Sequence, residues 1–111
     1  MRLGTVRLPP RGVPKSEFAR QDWYDVWLPT LAPSTALRQR TDFDKAGKWW
    51  PAFAKRFQAE LKKADASRLL DVLAALSHQA NFSVGCYCAD ESRCHRSLLR
   101  QALRARGAAV K

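Results

Sequence analysis

No run in this sequence approaches the roughly 18 to 20 consecutive apolar residues that a membrane-spanning helix needs, so no membrane partner is expected. The opening residues MRLGTVRLPP also lack the apolar segment of a secretory signal, and the expectation is a mature chain of this length in the cytoplasm. Cysteine is scarce. Cys86, Cys88 and Cys94 are an odd set of three crowded into nine residues, a poor disulfide framework that reads as free thiols in a reducing compartment. A bridge between Cys86 and Cys88 is disfavoured further, because neighbours two apart on a strand stand about 6.6 Å apart at Cα and would need strained geometry. Acidic residues are half as numerous as basic ones, ten against twenty, and there is neither an internal repeat nor a low-complexity tract.

What is present is a basic chain of 111 residues, 46% of them apolar, which suffices for one core and is too short for two ordinary domains. Residues 1–111 are therefore read as a single domain. The formal charge of +10 attracts polyanions through counterion release, which makes an anionic small molecule or nucleic acid the expected partner. A basic surface with no nucleic-acid role is the plain alternative.

Hydrophobic patterning places the elements. Arg2–Leu8 reads as a strand that ends at the Pro9-Pro10-Arg11-Gly12-Val13-Pro14 loop, since adjacent prolines cannot continue a ladder. Trp23–Leu28 is a second, aromatic-rich strand, stopped by Pro29, and residues 31–35 form a loop into a short helical turn. Trp49, Trp50, Phe53, Phe57, Leu61 and Ala64 recur at helical spacing and predict a helix over Lys48–Ala64, with Pro51 held in its first turn. A helix over Ser67–Ser77 follows from Leu69, Leu70, Val72, Leu73 and Leu76, with Asp65 or Ser67 as N-cap. Phe82–Cys88 alternates as a strand, and Gly85 in it suggests a close backbone or ligand approach. A last helix spans Arg93–Arg106 and closes at Gly107. This order predicts an α/β fold, a small mostly parallel sheet covered by about three helices.

Chemistry concentrates where the last strand meets the last helix. Ligands of open α/β sheets bind outside the carboxyl ends of the strands, and the first turn of a helix favours anions and thiolates. On the helical wheel His95 falls within the apolar face of Leu98, Leu99, Ala102, Leu103 and Ala105, pointing toward the sheet, with Cys94 at its edge. Arg93, Arg96, Arg100 and Arg104 form a basic stripe on the opposite face, either solvated or in contact with an anion. A core histidine whose nitrogens bond backbone, beside small buried cysteines, is one account of this turn. Three active accounts stand beside it. Cys88 could be a nucleophile activated by His95, with Arg93 or Arg96 holding an anion; Cys88 to Arg93 has the C-x4-R spacing of a rhodanese-type loop. Asp90 and Glu91 place negative charge where such a loop cradles its anion, and no glycine frees the backbone. Cys86, Cys88, Cys94 and His95 could instead chelate zinc, although C-x-C followed by adjacent Cys and His departs from the usual spacing. Or the turn binds the phosphate or carboxylate of a nucleotide or nucleic acid without covalent chemistry.

The segments GTVRLPPRGVP, WYDVWLPTLAPS, the Trp and Phe helix ending in AEL, and CYCADESRCHRSLL occur in this order through most of the chain. Together they resemble the "domain of unknown function 488" family. The resemblance implies a compact α/β fold found in bacterial and archaeal proteins, and it carries no established activity. The positions that match the family's motifs are Arg7, Pro10, Arg11 and Gly12, then Pro33 and Ser34, then Cys88, Cys94, His95 and Arg96. Two departures are evident: many members have a further strand before RLGTVR, and some have a longer loop between the two cysteine positions.

Arg7 and Arg11 flank prolines that stiffen their loop, so both guanidinium groups are candidate anion ligands beside the carboxyl end of the sheet. If the first and third strands are parallel neighbours, Arg7, Arg11, His95 and Cys88 converge there. The candidate catalytic residues are thus Cys88, Cys94 and His95, and the candidate anion ligands Arg7, Arg11, Arg93 and Arg96. A Cys- or His-dependent enzyme acting on an anionic substrate and a nucleic-acid or nucleotide binding module both remain open. Trp23, Trp27, Trp49 and Trp50 are read as core or strand-packing residues, with base stacking as the functional alternative. The residues specify no cofactor, metal or oligomeric state.

Overall fold

Leu3 joins the main core on one side of the first strand, while Gly4 and Val6 meet Tyr24 and its neighbours on the other, and this period-two alternation organises the molecule. The computed structural model describes residues 1–8, 11–21, 23–85 and 94–110. Within them, β1 (Arg2–Gly4), β2 (Val26–Trp27) and β3 (Ser83–Gly85) form a parallel sheet in the order β2-β1-β3, with Leu3 opposite both Val26 and Val84. The helices are α1 (Thr35–Arg40), α2 (Trp50–Leu61), α3 (Ala64–Leu76) and α4 (His95–Ala105), and single 3-10 turns lie at Lys15–Glu17 and Pro29–Leu31. This is the expected α/β arrangement, with α1 a true helix where the sequence suggested a turn.

Each long helix buries one stripe against the sheet and its neighbours. Phe53, Phe57 and Leu61 of α2, Ala66, Leu70, Leu73 and Ala74 of α3, and Leu98, Leu99 and Leu103 of α4 meet Leu3, Leu31 and Leu37 in one core. Leu70 and Leu99 are completely enclosed, and each such side chain stabilises the fold by roughly 1.5–3 kcal/mol. The smaller core of Val6, Phe18 and Tyr24 covers the other face of the sheet, with the Phe18 and Tyr24 rings edge to face at 5.0 Å.

Several boundaries differ from the sequence expectation. Among the described residues β1 and β2 are shorter than Arg2–Leu8 and Trp23–Leu28; beyond β1 the side chain of Thr5 meets His95, Arg7 bonds the Ala32 carbonyl, and Trp27 Nε1 donates to the Val6 carbonyl at 2.7 Å. α2 starts at Trp50 with Pro51 in its first turn, as Pro51 requires, but ends at Leu61. Lys63 is extended (φ −64°, ψ 150°), so Ala64 opens α3 instead of closing α2. Neither Asp65 nor Ser67 is the N-cap; that position is Lys63, and Asp65 lies in the first turn, where its charge complements the helix dipole. Val72, Leu76 and Ala105 are exposed although spacing counted them apolar-side, since the buried stripes are narrower than the wheel arcs. Trp23 is 43% exposed and lies outside β2. Phe82 and Val84 do pack against the main core while Ser83 faces outward, as alternation predicts. Residues 86–88 of the expected third strand, and Arg93 of the last helix, lie outside the described residues. No helix among the described residues is long and apolar enough to cross a membrane.

Candidate functional site at the carboxyl edge of the sheet

Leu3, Thr5 and Arg7 alternate onto the helical side of the molecule, and the last two lie beyond the carboxyl end of β1. Thr5 has no exposed surface, so each of its polar groups needs a partner. Its amide N–H donates to the Gly85 carbonyl at 2.9 Å and its hydroxyl donates to the same oxygen at 3.0 Å, extending the β1/β3 pairing by one residue. Its own carbonyl accepts from His95 Nε2 at 2.6 Å, and its hydroxyl oxygen lies 3.3 Å from the same nitrogen.

That contact fixes the tautomer. A carbonyl oxygen only accepts, so Nε2 carries a hydrogen, and it is Nδ1 that presents the lone pair of the neutral ring. The Nδ1 atom lies 3.9 Å from the Cys94 sulfur, and the ring sits edge-on to Phe57 with centroids 5.6 Å apart. His95 is buried and points at the sheet, as the wheel predicts, with its Nε2 bonded to backbone as the core-histidine account requires. Cys94 is the N-cap of α4, extended at φ −123° and ψ 143°, and only 1% exposed.

Arg7, two residues beyond Thr5, turns toward the segment after β2. Its Nη2 donates to the Ala32 carbonyl at 2.7 Å and its Nε to the Pro33 carbonyl at 3.3 Å. Next to it Ser34 caps α1: its hydroxyl oxygen accepts from the Leu37 N–H at 3.1 Å. Ser34 also donates twice to Glu60 near the end of α2, through the hydroxyl at 2.5 Å and the amide at 2.9 Å. Between these elements opens a cleft of about 360 Å³, lined by Arg7, Ser34, Phe57, Glu60, Lys63 and the first turn of α3. Phe57 is shared: one ring faces this cleft and also touches His95.

The sequence reading missed Glu60. Its signal was its position three residues after Phe57, on the margin of the stripe α2 buries. Among the described residues Gly85 has no close neighbour to accommodate, since a Cβ there would meet the Leu3 carbonyl at 3.9 Å. The close approach belongs to Gly4, where a Cβ would fall within 2.6 Å of three Tyr24 ring atoms.

Residues 1–107 match the family model DUF488-N3a, described as the active DUF488-N3 subclade. The chain belongs to the DUF488 family. No curated protein and no solved structure matches it significantly. In this DUF488 protein, the motif positions Arg7 and Ser34 line one cleft, with Arg7 bonded to the Pro33 carbonyl, and Phe57 of the same cleft touches His95, whose Nδ1 lies beside Cys94. Arg11 is exposed beside Gly12, whose φ is 75°, and among the described residues no hydrogen bond ties it to Arg7 or His95. Arg96 is half-buried on α4 and is not among the residues lining the Arg7 cleft, while Arg100 and Arg104 of the same stripe are exposed. Pro10, Cys86, Cys88 and Arg93 lie outside the described residues. Among the described residues no group of three or more His, Cys, Asp or Glu side chains could hold a metal ion, and the zinc set keeps only Cys94 and His95 among them.

Proposed function

We propose that this DUF488 protein is an enzyme that acts on an anionic substrate at the carboxyl edge of its sheet through thiol chemistry assisted by His95. The observation that carries the proposal is the chain of contacts Gly85, Thr5, His95, Cys94. Backbone carbonyl bonding holds Nε2–H and leaves Nδ1 ready to accept a proton from a thiol, the division of labour a histidine base needs beside a cysteine. Among the described residues Cys94 brings its sulfur beside Nδ1, and Cys88 is the second candidate nucleophile named by the sequence. Arg7 supplies the anion ligand. Two of its five N–H bonds hold the Ala32 and Pro33 carbonyls, which fixes the guanidinium at the cleft with donors left for a carboxylate or phosphate. The family description as an active subclade agrees with an enzyme.

Alkylation by iodoacetamide at neutral pH, followed cysteine by cysteine by mass spectrometry, tests this. One of the three thiols is expected to react at least about tenfold faster than the others, and to lose that advantage in folded His95→Gln protein. Inorganic phosphate should slow the reaction in the wild type and not in Arg7→Gln. Equal reactivity of all three thiols, or reactivity indifferent to His95, overturns the proposal.

A further inference from the structure

Phe43, in the segment between α1 and α2, keeps 52% of its surface in water. It is the outer member of a ring cluster. Phe43 meets Trp49 edge-on at 4.8 Å and Phe53 at 6.0 Å, and Trp49 meets Trp50 at 5.5 Å and Phe53 at 5.3 Å. Phe53 in turn stacks on the fully buried Phe57 at 6.3 Å, so the exposed ring stands on a column rooted in the core.

The backbone that presents Phe43 is itself tied down. Thr41 donates its hydroxyl to the Leu37 carbonyl at 2.7 Å, the Asp44 carboxylate accepts the Lys48 N–H at 3.1 Å, and Gly47 turns the chain at φ 75°. The side chains that neighbour Phe43 in sequence are rich in cations: Arg38 and Arg40 end α1, Lys45 and Lys48 share the segment, and Lys55 and Arg56 follow on α2, all of them exposed. Asp42 and Asp44 are the carboxylates of the same stretch, and Asp44 is engaged in holding the turn.

We infer that this face is a docking surface for single-stranded nucleic acid, one base stacking on Phe43 and the adjoining phosphates lying over Lys45, Lys48 and one of the two arginines that end α1. An exposed aromatic ring on a rigid base amid cations suits a strand whose base faces are open and whose backbone is anionic. A duplex hides its base faces, and a second copy of the chain would set these cations against their own like. The inference is independent of the thiol chemistry proposed above, because it rests on Phe43, whose ring contacts are to Trp49 and Phe53, and on the cations of its own segment.

Quenching of tryptophan fluorescence in the full chain by an oligothymidylate of about twelve nucleotides at low salt reads the interaction. Binding should weaken linearly with salt on logarithmic axes, and the slope should flatten in the Lys45→Gln/Lys48→Gln variant. Phe43→Ala should weaken binding about tenfold at unchanged salt slope, while Phe43→Tyr retains it. Wild-type affinity in Phe43→Ala, equal affinity for a duplex of the same length, or an oligomeric state that depends on Phe43 overturns the inference. Phe43→Tyr and the double lysine variant keep it testable should Phe43→Ala fold poorly.

Discussion

His95 Nε2 and the carbonyl oxygen of Thr5 lie 2.6 Å apart across a sequence separation of 90 residues, and this bond joins the start of α4 to the end of β1. Among the described residues His95 is the donor that the Thr5 carbonyl meets just beyond β1. His95→Ala would remove this donor from the buried Thr5 carbonyl and open a cavity beside Phe57. A loss of about 2–4 kcal/mol is expected, read as a lower urea midpoint at unchanged m-value.

Gly4 and Tyr24 form a second pair with a sharp requirement. Any Cβ at position 4 meets the Tyr24 ring at 2.4–2.6 Å, and that ring is packed edge-on against Phe18. Gly4→Ala should therefore cost roughly 1–3 kcal/mol by overpacking. In a Tyr24→Ala background the same substitution should cost less than about 0.5 kcal/mol, which a double-mutant cycle in denaturant measures.

Asp25 makes stability depend on acid. The Arg2 N–H bonds its Oδ2 at 2.6 Å and the Arg2 guanidinium lies at 3.4–3.5 Å, and these contacts, the backbone bond first, hold the carboxyl below the ordinary aspartate range. A depressed folded-state value means that the stabilisation is complete above the unfolded-state value, near pH 4, and is lost as pH falls through the folded one. Asp25→Asn should melt below the wild type at pH 7, and thermal melts should show the gap closing as pH drops under about 4.

Ser34 and Glu60 fasten α1 to the end of α2. Ser34→Ala removes the cap of α1 and one of the two donors to the Glu60 carboxylate, for an expected loss of about 1–2 kcal/mol. Ser34→Thr keeps both bonds and should stay close to wild type. If the cleft beside them binds an anion, phosphate should raise the melting temperature of the wild type and do so less in Arg7→Gln.

Much of the framework was legible where a residue's neighbours in sequence are also its neighbours in space. Phe53, Phe57 and Leu61 repeat at the helical period and are buried together; Pro51 set the start of α2, and Gly107, at φ 82°, closes α4. The inward orientation of His95 followed from the same wheel. Its partner did not, because nothing local in RLGTVRL marks Thr5 as the residue whose carbonyl an imidazole meets. Arg7 was recognised as a site residue, but its anchoring on Ala32 and Pro33 depends on how the segment after β2 crosses the end of β1. Glu60 was overlooked because a carboxylate at a helix margin resembles any solvated one until Ser34 is set against it.

By itself the sequence determined the order of elements, the buried stripes of α2, α3 and α4, the basic character of the surface and the inward aim of His95. These rest on periodicity and charge, which are local properties of a chain. Only the tertiary structure decided which backbone oxygen holds that imidazole, which glycine lies under an aromatic ring, and that Arg7, Ser34 and Glu60 share a cleft. Those outcomes come from contacts between distant segments, whose geometry exists once the parallel sheet has brought β1 between β2 and β3.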